Sequence, residues 1–154
     1  MLQKIIDYLN QREWSYSNTK DNQEILLSLS HDNGIYNGII YMKDMSKIFA
    51  FVSYLGIRCP VDKYERMLKF INRANDTMLY GNFEINSSGD IKNRTSIHLF
   101  DVEITEAIIE NVILRNIFNM DAANPIFSKL IYGDITDDEA YFEMFPFRKE
   151  EPKK

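Results

Sequence analysis

The chain is poor in the residues that mark most recognisable chemistry. Among its 154 residues are one cysteine and two histidines. Cys59 has no partner for an internal disulfide, which points to a reducing compartment, the cytoplasm. Neither His31 nor His98 has a cysteine or a second histidine at ligand spacing, so both read as surface residues. The six glycines form no Walker loop, Rossmann fingerprint or nucleophile elbow. Long apolar runs are missing too. The opening stretch MLQKIIDYLNQREW carries Asp7 and Glu13, which fits neither a signal peptide nor a membrane span. Nor is there an excess of positive charge: 18 Lys and Arg face 23 Asp and Glu, for a net charge of −5. That balance disfavours nucleic acid as a partner.

What is present is an ordinary globular composition, 45% hydrophobic and 27% charged, in a chain long enough for one domain. Leu2, Ile5, Ile6 and Leu9 form one stripe of a first helix over 2–13. A polar connector follows. Ile25, Leu27 and Leu29 then alternate with serines, Asp32-Asn33-Gly34 signals a turn, and two more strands complete a meander from about Glu24 to Ile57. The third strand is apolar on both sides: Phe49, Phe51 and Leu55 point one way, Ile48, Ala50, Val52 and Tyr54 the other. A sheet with one wet face alternates more cleanly, so a cover is expected on both faces, either the protein's own helices or a partner.

Asp62 and Glu65 suggest a capping-box start to a second helix. Its buried stripe is Tyr64, Met67, Leu68 and Ile71, with Phe70 widening the arc. Between Gly81 and Leu99 lies GNFEINSSGDIKNRTSIHL, in which Ser-Ser-Gly-Asp could be a phosphate loop or a turn. A three-residue loop Ser87-Ser88-Gly89 sets Ile85 opposite Ile91, Glu84 opposite Lys92 and Asn82 opposite Arg94. It also puts glycine where positive φ is needed. A phosphate loop would lead into a helix; here a strand follows, so the stretch reads as a hairpin. A long helix runs from Thr105 to about Tyr132, with Pro125 expected to kink or break it and Gly133 as C-cap. Thr136 and Glu139 form a capping box for a short last helix. One domain is expected over 1–145, with 146–154 a frayed tail.

The acids have capping roles at hand. Asp134, Asp137, Asp138 and Glu139 lack the spacing of an EF-hand loop and suit helix ends better than a cation. Glu103, Glu106 and Glu110 likewise sit around the long helix's first turn. Cys59, before Pro60 at a strand-to-helix junction, reads as a structural thiol. No catalytic residue, metal ligand or cofactor site is assigned.

The order of elements, α-βββ-α-ββ-α(-α), resembles the YbjN family of bacterial sensory-transduction regulators. The stretch FINRANDTMLYGNFEINSSGDIKNRTSI looks like that family's helix end, Gly-Asn-Phe-Glu, Gly-Asp turn and following strand. Pro125 and LIYGD (Leu130 to Asp134) look like its C-terminal helix and its end. The resemblance implies an α+β fold similar to type-three secretion chaperones, a non-enzymatic regulatory role through protein contacts, and a homodimer or an unidentified protein partner. The apolar surplus places the expected interaction residues at Phe49, Phe51, Tyr54, Tyr64, Met67, Phe70 and Ile71. The alternative is an enzyme or small-molecule sensor with a pocket between sheet and long helix, where His98, Arg94 or Cys59 would converge.

Overall fold

Helix α1 (Leu2–Gln11) turns its stripe inward as the 3.6-residue period requires, and Ile5 and Leu9 have no exposed surface. The computed structural model of the chain describes residues 1–19, 24–43 and 45–150. After α1 come β1 (Tyr16–Asn18), β2 (Glu24–His31), β3 (Gly34–Lys43) and β4 (Ile48–Arg58). Helix α2 (Tyr64–Thr77), β5 (Asn82–Ile85), β6 (Asp90–His98), α3 (Glu106–Tyr132) and α4 (Asp137–Met144) follow. The six strands form one antiparallel sheet in the order β1-β2-β3-β4-β6-β5. The fold is α+β. Only β1 was absent from the sequence pattern, because three residues with Ser17 and Asn18 among them are too few for alternation to show.

The β5–β6 hairpin has the expected register: Ile85 faces Ile91, Glu84 faces Lys92 and Asn82 faces Arg94. Asn86 closes the loop, its Oδ1 accepting from the backbone N–H of Ser88 at 3.0 Å and of Asp90 at 2.9 Å. Gly89 has φ +82°, and a Cβ there would lie 2.3 Å from the Cys59 carbonyl oxygen. The glycine is required by conformation and by a close approach, so the tetrad is a turn.

One face of the sheet packs against the helices. Ile25, Tyr36, Ile40, Phe49, Phe51 and Phe83 join α1, α2 and α3 in one hydrophobic core. Phe127 of α3 is the hinge of that core, with the rings of Phe70 and Phe83 edge-on at 5.5 Å and 5.1 Å. Among the described residues the other face carries no helix, so of the two covers expected, the chain's own helices supply one. Ala50 and Val52 are buried there, outside the main core, beneath the long side chains of neighbouring strands. Side chains such as Tyr41, Tyr54 and Arg94 have apolar stems long enough to roof a small residue.

Three local expectations are corrected. Asp62 does not cap α2: it lies in a 3-10 turn (Val61–Lys63), and the N-cap Lys63 makes no side-chain cap. Pro60 fixes the chain's entry so that the turn precedes the helix. Leu68 is exposed, while Phe70, placed at the edge of the stripe, is fully buried; the helix is rotated toward Phe127. Finally, Pro125 does not end α3, which is helical from Glu106 to Tyr132. The carbonyl that Pro125 cannot serve, that of Asp121, accepts instead from Asn33 Nδ2 at 3.1 Å. The Thr136–Glu139 capping box is present as expected. Beyond it Phe145 is buried and Pro146–Glu150 form a 3-10 turn; of the expected 146–154 tail, residues 151–154 lie outside the described residues.

Candidate interaction surface

Three groups of polar side chains sit where chemistry or recognition could occur. The first surrounds Asp121, a nearly buried carboxylate on α3. It accepts from Tyr36 Oη at 2.7 Å, Asn33 N at 2.8 Å and Asn33 Nδ2 at 3.1 Å, and bonds His31 Nδ1 at 2.8 Å. Burial raises its pKa, but these donors outweigh that and hold it below the usual aspartate value. Tyr36 is pushed well above a normal phenol by burial and by the carboxylate it serves. Asn124 completes the group, its Nδ2 donating to Asn33 O at 2.8 Å. His31 is therefore no plain surface residue: it is half-buried, bonded to Asp121 and edge-on to Phe118. His31, Asp32 and Asp121 also bring possible metal-ligand atoms within 4.8 Å of one another. Both oxygens of Asp121 are already engaged by donors, so the chemistry of the set is that of a clamp fixing the β2–β3 turn to α3.

The second group lies on the helix-free face. Glu84 accepts from Arg94 Nε at 2.7 Å and pairs with Lys92 Nζ at 2.9 Å. These bonds, Arg94 first, hold its pKa down at about 2. Tyr41, desolvated and beside Tyr54, is raised to about 12. The cluster is a cross-strand network in which one carboxylate, Glu84, serves two cations, Arg94 and Lys92.

The third is a strand edge. Phe83, on the outermost strand, turns its N–H and C=O away from β6, and the Asn75 side chain of α2 caps both: Phe83 N donates to Oδ1 at 2.8 Å and Nδ2 donates to Phe83 O at 2.9 Å. The amide stands in for a further strand. Gly81 then ends β5. It has φ +69°, and a Cβ there would sit 2.8 Å from Thr95 Oγ1, so the chain leaves β6 at that point. Thr95–His98 consequently has β4 on one side and, among the described residues, no strand on the other. Antiparallel alternation decides which groups face outward. Phe83 and Asn93 form a non-hydrogen-bonded pair, and Leu99 N donates to Lys47 O at 2.8 Å. Odd-numbered residues of β6 thus bond β4, and Ser96 and His98 point N–H and C=O outward. Beside this edge runs a groove of about 560 Å³ between β6 and α3, lined by Tyr80, Thr95, Ile97, Ile108, Val112 and Arg115.

The expected interaction residues lie mostly inside. Phe49, Phe51, Met67, Phe70 and Ile71 are buried in the core of a single chain. Tyr64 is half-buried, and Tyr54 is half-buried on the helix-free face. The apolar surplus that singled them out is absorbed by α3 and by the sheet's own long side chains. The three residues of the alternative pocket do not meet. Arg94 pairs with Glu84, His98 lies with its ring 4.0 Å from that of Phe100, and Cys59 is buried with its thiol pKa raised by burial. The acids have partners as helix ends require: Glu139 caps α4, Arg73 pairs with Asp138, Lys63 lies 3.6 Å from Asp134 and Lys4 pairs with Glu103 at 2.6 Å. The edge beside Tyr80 and Arg115 was missed in the sequence. Its only signal there is a mismatch in length, since Gly81 cuts one arm of the hairpin short.

The family model described as "Putative bacterial sensory transduction regulator", YbjN, matches residues 2–113. The chain belongs to the YbjN family. Among solved structures it resembles YbjN from E. coli, titled "a putative transcription regulator", with 11% identity, TM-score 0.58, and coverage of 79% of this chain and 86% of that one. At that identity the likeness shows the fold. No curated protein matches the chain. Among the described residues, no helix is long and apolar enough to cross a membrane.

Proposed function

We propose that the chain is a non-enzymatic regulatory domain that acts through protein contacts, beginning with a second copy of itself. The observation that carries this reading is the helix-free sheet face. It buries Ala50 and Val52, leaves Leu26 40% exposed, and has a shallow depression of about 560 Å³ lined by Ser17, Leu26, Ser28, Asn37, Ile39 and Tyr54. Its half-buried carboxylate, Glu84, is paired with Arg94 and Lys92, so it does not meet an approaching copy as an unpaired charge. One self-complementary contact between two such faces gives a closed dimer. Membership of a regulator family supports the same class of role. The polar groups support it as well: Asp121 and Glu84 are engaged by donors that hold the fold together, and Cys59 is buried.

Light scattering of the whole chain at micromolar concentration tests the first contact. A mass of two chains is expected, and a mass of one chain removes the proposal of a homodimer. The alternative, a small-molecule sensor, has the β6–α3 groove in its favour, which lies between sheet and long helix as that reading needs.

A further inference from the structure

We infer that the bare edge of β6 is a binding site for an extended segment of another polypeptide, which adds there as an extra strand. The inference rests on the reading of the chain as a protein-binding domain and uses a surface separate from the sheet face. Ser96 and His98 offer two outward N–H and two outward C=O groups, the spacing that an antiparallel strand satisfies. The slot is four residues long, 95–98, and Asn82 stops it at one end. Exposed apolar side chains gather at both ends: Leu79 and Tyr80 before β5, Phe100 and Val102 after β6. The outer edge of β2 beyond Tyr16 is also unpaired by a strand, but Ser28 and Ser30, the exposed residues there, are polar.

The walls specify the occupant. Side chains of an added strand alternate between the two faces of the sheet. Those on the helix side enter the groove against Ile97, Ile108 and Val112; those on the other side lie along Arg94, Ser96 and His98. Among the described residues Arg115 is the one cation lining the groove, 5.8 Å from the centre of the Tyr80 ring and in none of the ion pairs found there. Asn119 Nδ2 holds the Tyr80 carbonyl at 2.7 Å and so fixes that wall to α3. The occupant is therefore a short β-prone segment with apolar residues at alternate positions and a carboxylate at the end that meets Arg115. A folded second copy fits poorly, because its own helix layer would meet α3.

The test selects peptides from a random twelve-residue library displayed on phage, using the whole wild-type chain, and measures binding of the selected peptides by fluorescence anisotropy. Hydrogen exchange follows the amides. Expected are selected sequences that alternate β-branched residues and carry Asp or Glu. Their binding should slow exchange at Ser96 and His98 by roughly tenfold or more. Ser96→Pro removes an outward N–H that no strand uses, so the free protein keeps its melting temperature within a few degrees, while peptide affinity falls roughly tenfold or more. Arg115→Glu lowers affinity for the acidic peptides by a similar factor and, being on the helix surface, leaves the fold intact. If Ser96→Pro unfolds the chain, Arg115→Glu and the amide protection still decide. No enrichment over background overturns the inference. So does binding that neither variant weakens, or a ligand held in the groove without protection at Ser96 and His98, as a small molecule would be. The mass by light scattering is read independently, so loss of the strand site and loss of the dimer are told apart.

Discussion

The two faces of β4 carry similar side chains and meet different surroundings. Phe49 and Phe51 lie under α3 and join the main core; Ala50 and Val52, on the opposite face, are buried as well but outside it. The first pair is covered by another layer of secondary structure. The second has Tyr41 and Arg94 as cross-strand neighbours, side chains whose stems are long enough to roof a small residue. Apolar character on both sides of a strand thus needs two covers but not two layers of helix, because long amphipathic side chains can supply one of them.

The sharpest way to break this comparison is to charge the helix side. Phe70→Glu and Met67→Glu place a carboxylate among fully buried neighbours, and loss of the folded state by circular dichroism is expected. An effect confined to oligomer mass, with the fold intact, would mean that these residues face a partner. The neutral counterpart is milder: Phe51→Ala is expected to cost about 3–5 kcal/mol by urea denaturation. Val52→Ala, on the other face, is expected to cost about 1–2 kcal/mol. Equal costs per carbon removed would show the roof of side chains to be as tight as the helix layer.

The next effect concerns what holds the helix layer on. Asp121→Ala leaves Tyr36 Oη and the Asn33 N–H without their acceptor, and a loss of about 3 kcal/mol is expected. Differential exchange should show the 31–36 turn opening first. Uniform loss of protection would deny it a local role.

How much of this was legible in the sequence follows from the range of the interactions. The hairpin register, the Thr136–Glu139 box and the bounds of α3 depend on neighbours a few residues apart, and all were readable. The Asp121 clamp joins residues 85 to 90 positions apart in sequence, and no local pattern marks it. For the same reason the sequence leaves open whether Pro125 kinks or breaks the helix: the donor that serves the freed carbonyl, Asn33, lies in a distant turn. Which cover lies on which sheet face was not legible, because periodicity reports that a side chain is apolar, not what lies above it. The bare edge at Ser96 depends on where Gly81 turns the chain, which is a matter of conformation.

Acid sharpens the contrast between the faces further. Glu84 on the open face has its pKa lowered from 4.5 to about 2, and Asp121 on the helix face is also lowered. A depressed carboxylate contributes stability that is present above its unfolded pKa and is lost as pH falls through its folded pKa. Stability is therefore expected to decline from about pH 4.5 toward pH 2. Glu84→Gln removes part of that slope at a cost of about 1 kcal/mol at neutral pH, because its partners are partly solvated. An unchanged acid slope in Glu84→Gln would assign the whole effect to other carboxylates.

The smallest effect on stability is the most informative about function. Leu26 lies on the helix-free face at the depression beside Tyr54 and is 40% exposed. In a single chain Leu26→Lys removes no core contact, and a change within about 0.5 kcal/mol is expected. In a dimer formed through that face, the same lysine would stand close to its symmetry mate and to the desolvated apolar patch, because a two-fold contact applies each substitution twice. The mass by light scattering should then fall from two chains to one at micromolar concentration, with an unchanged melting temperature at high dilution. A dimer that survives Leu26→Lys would place its interface elsewhere, and the uncovered face would then be an ordinary sheet surface roofed by its own side chains.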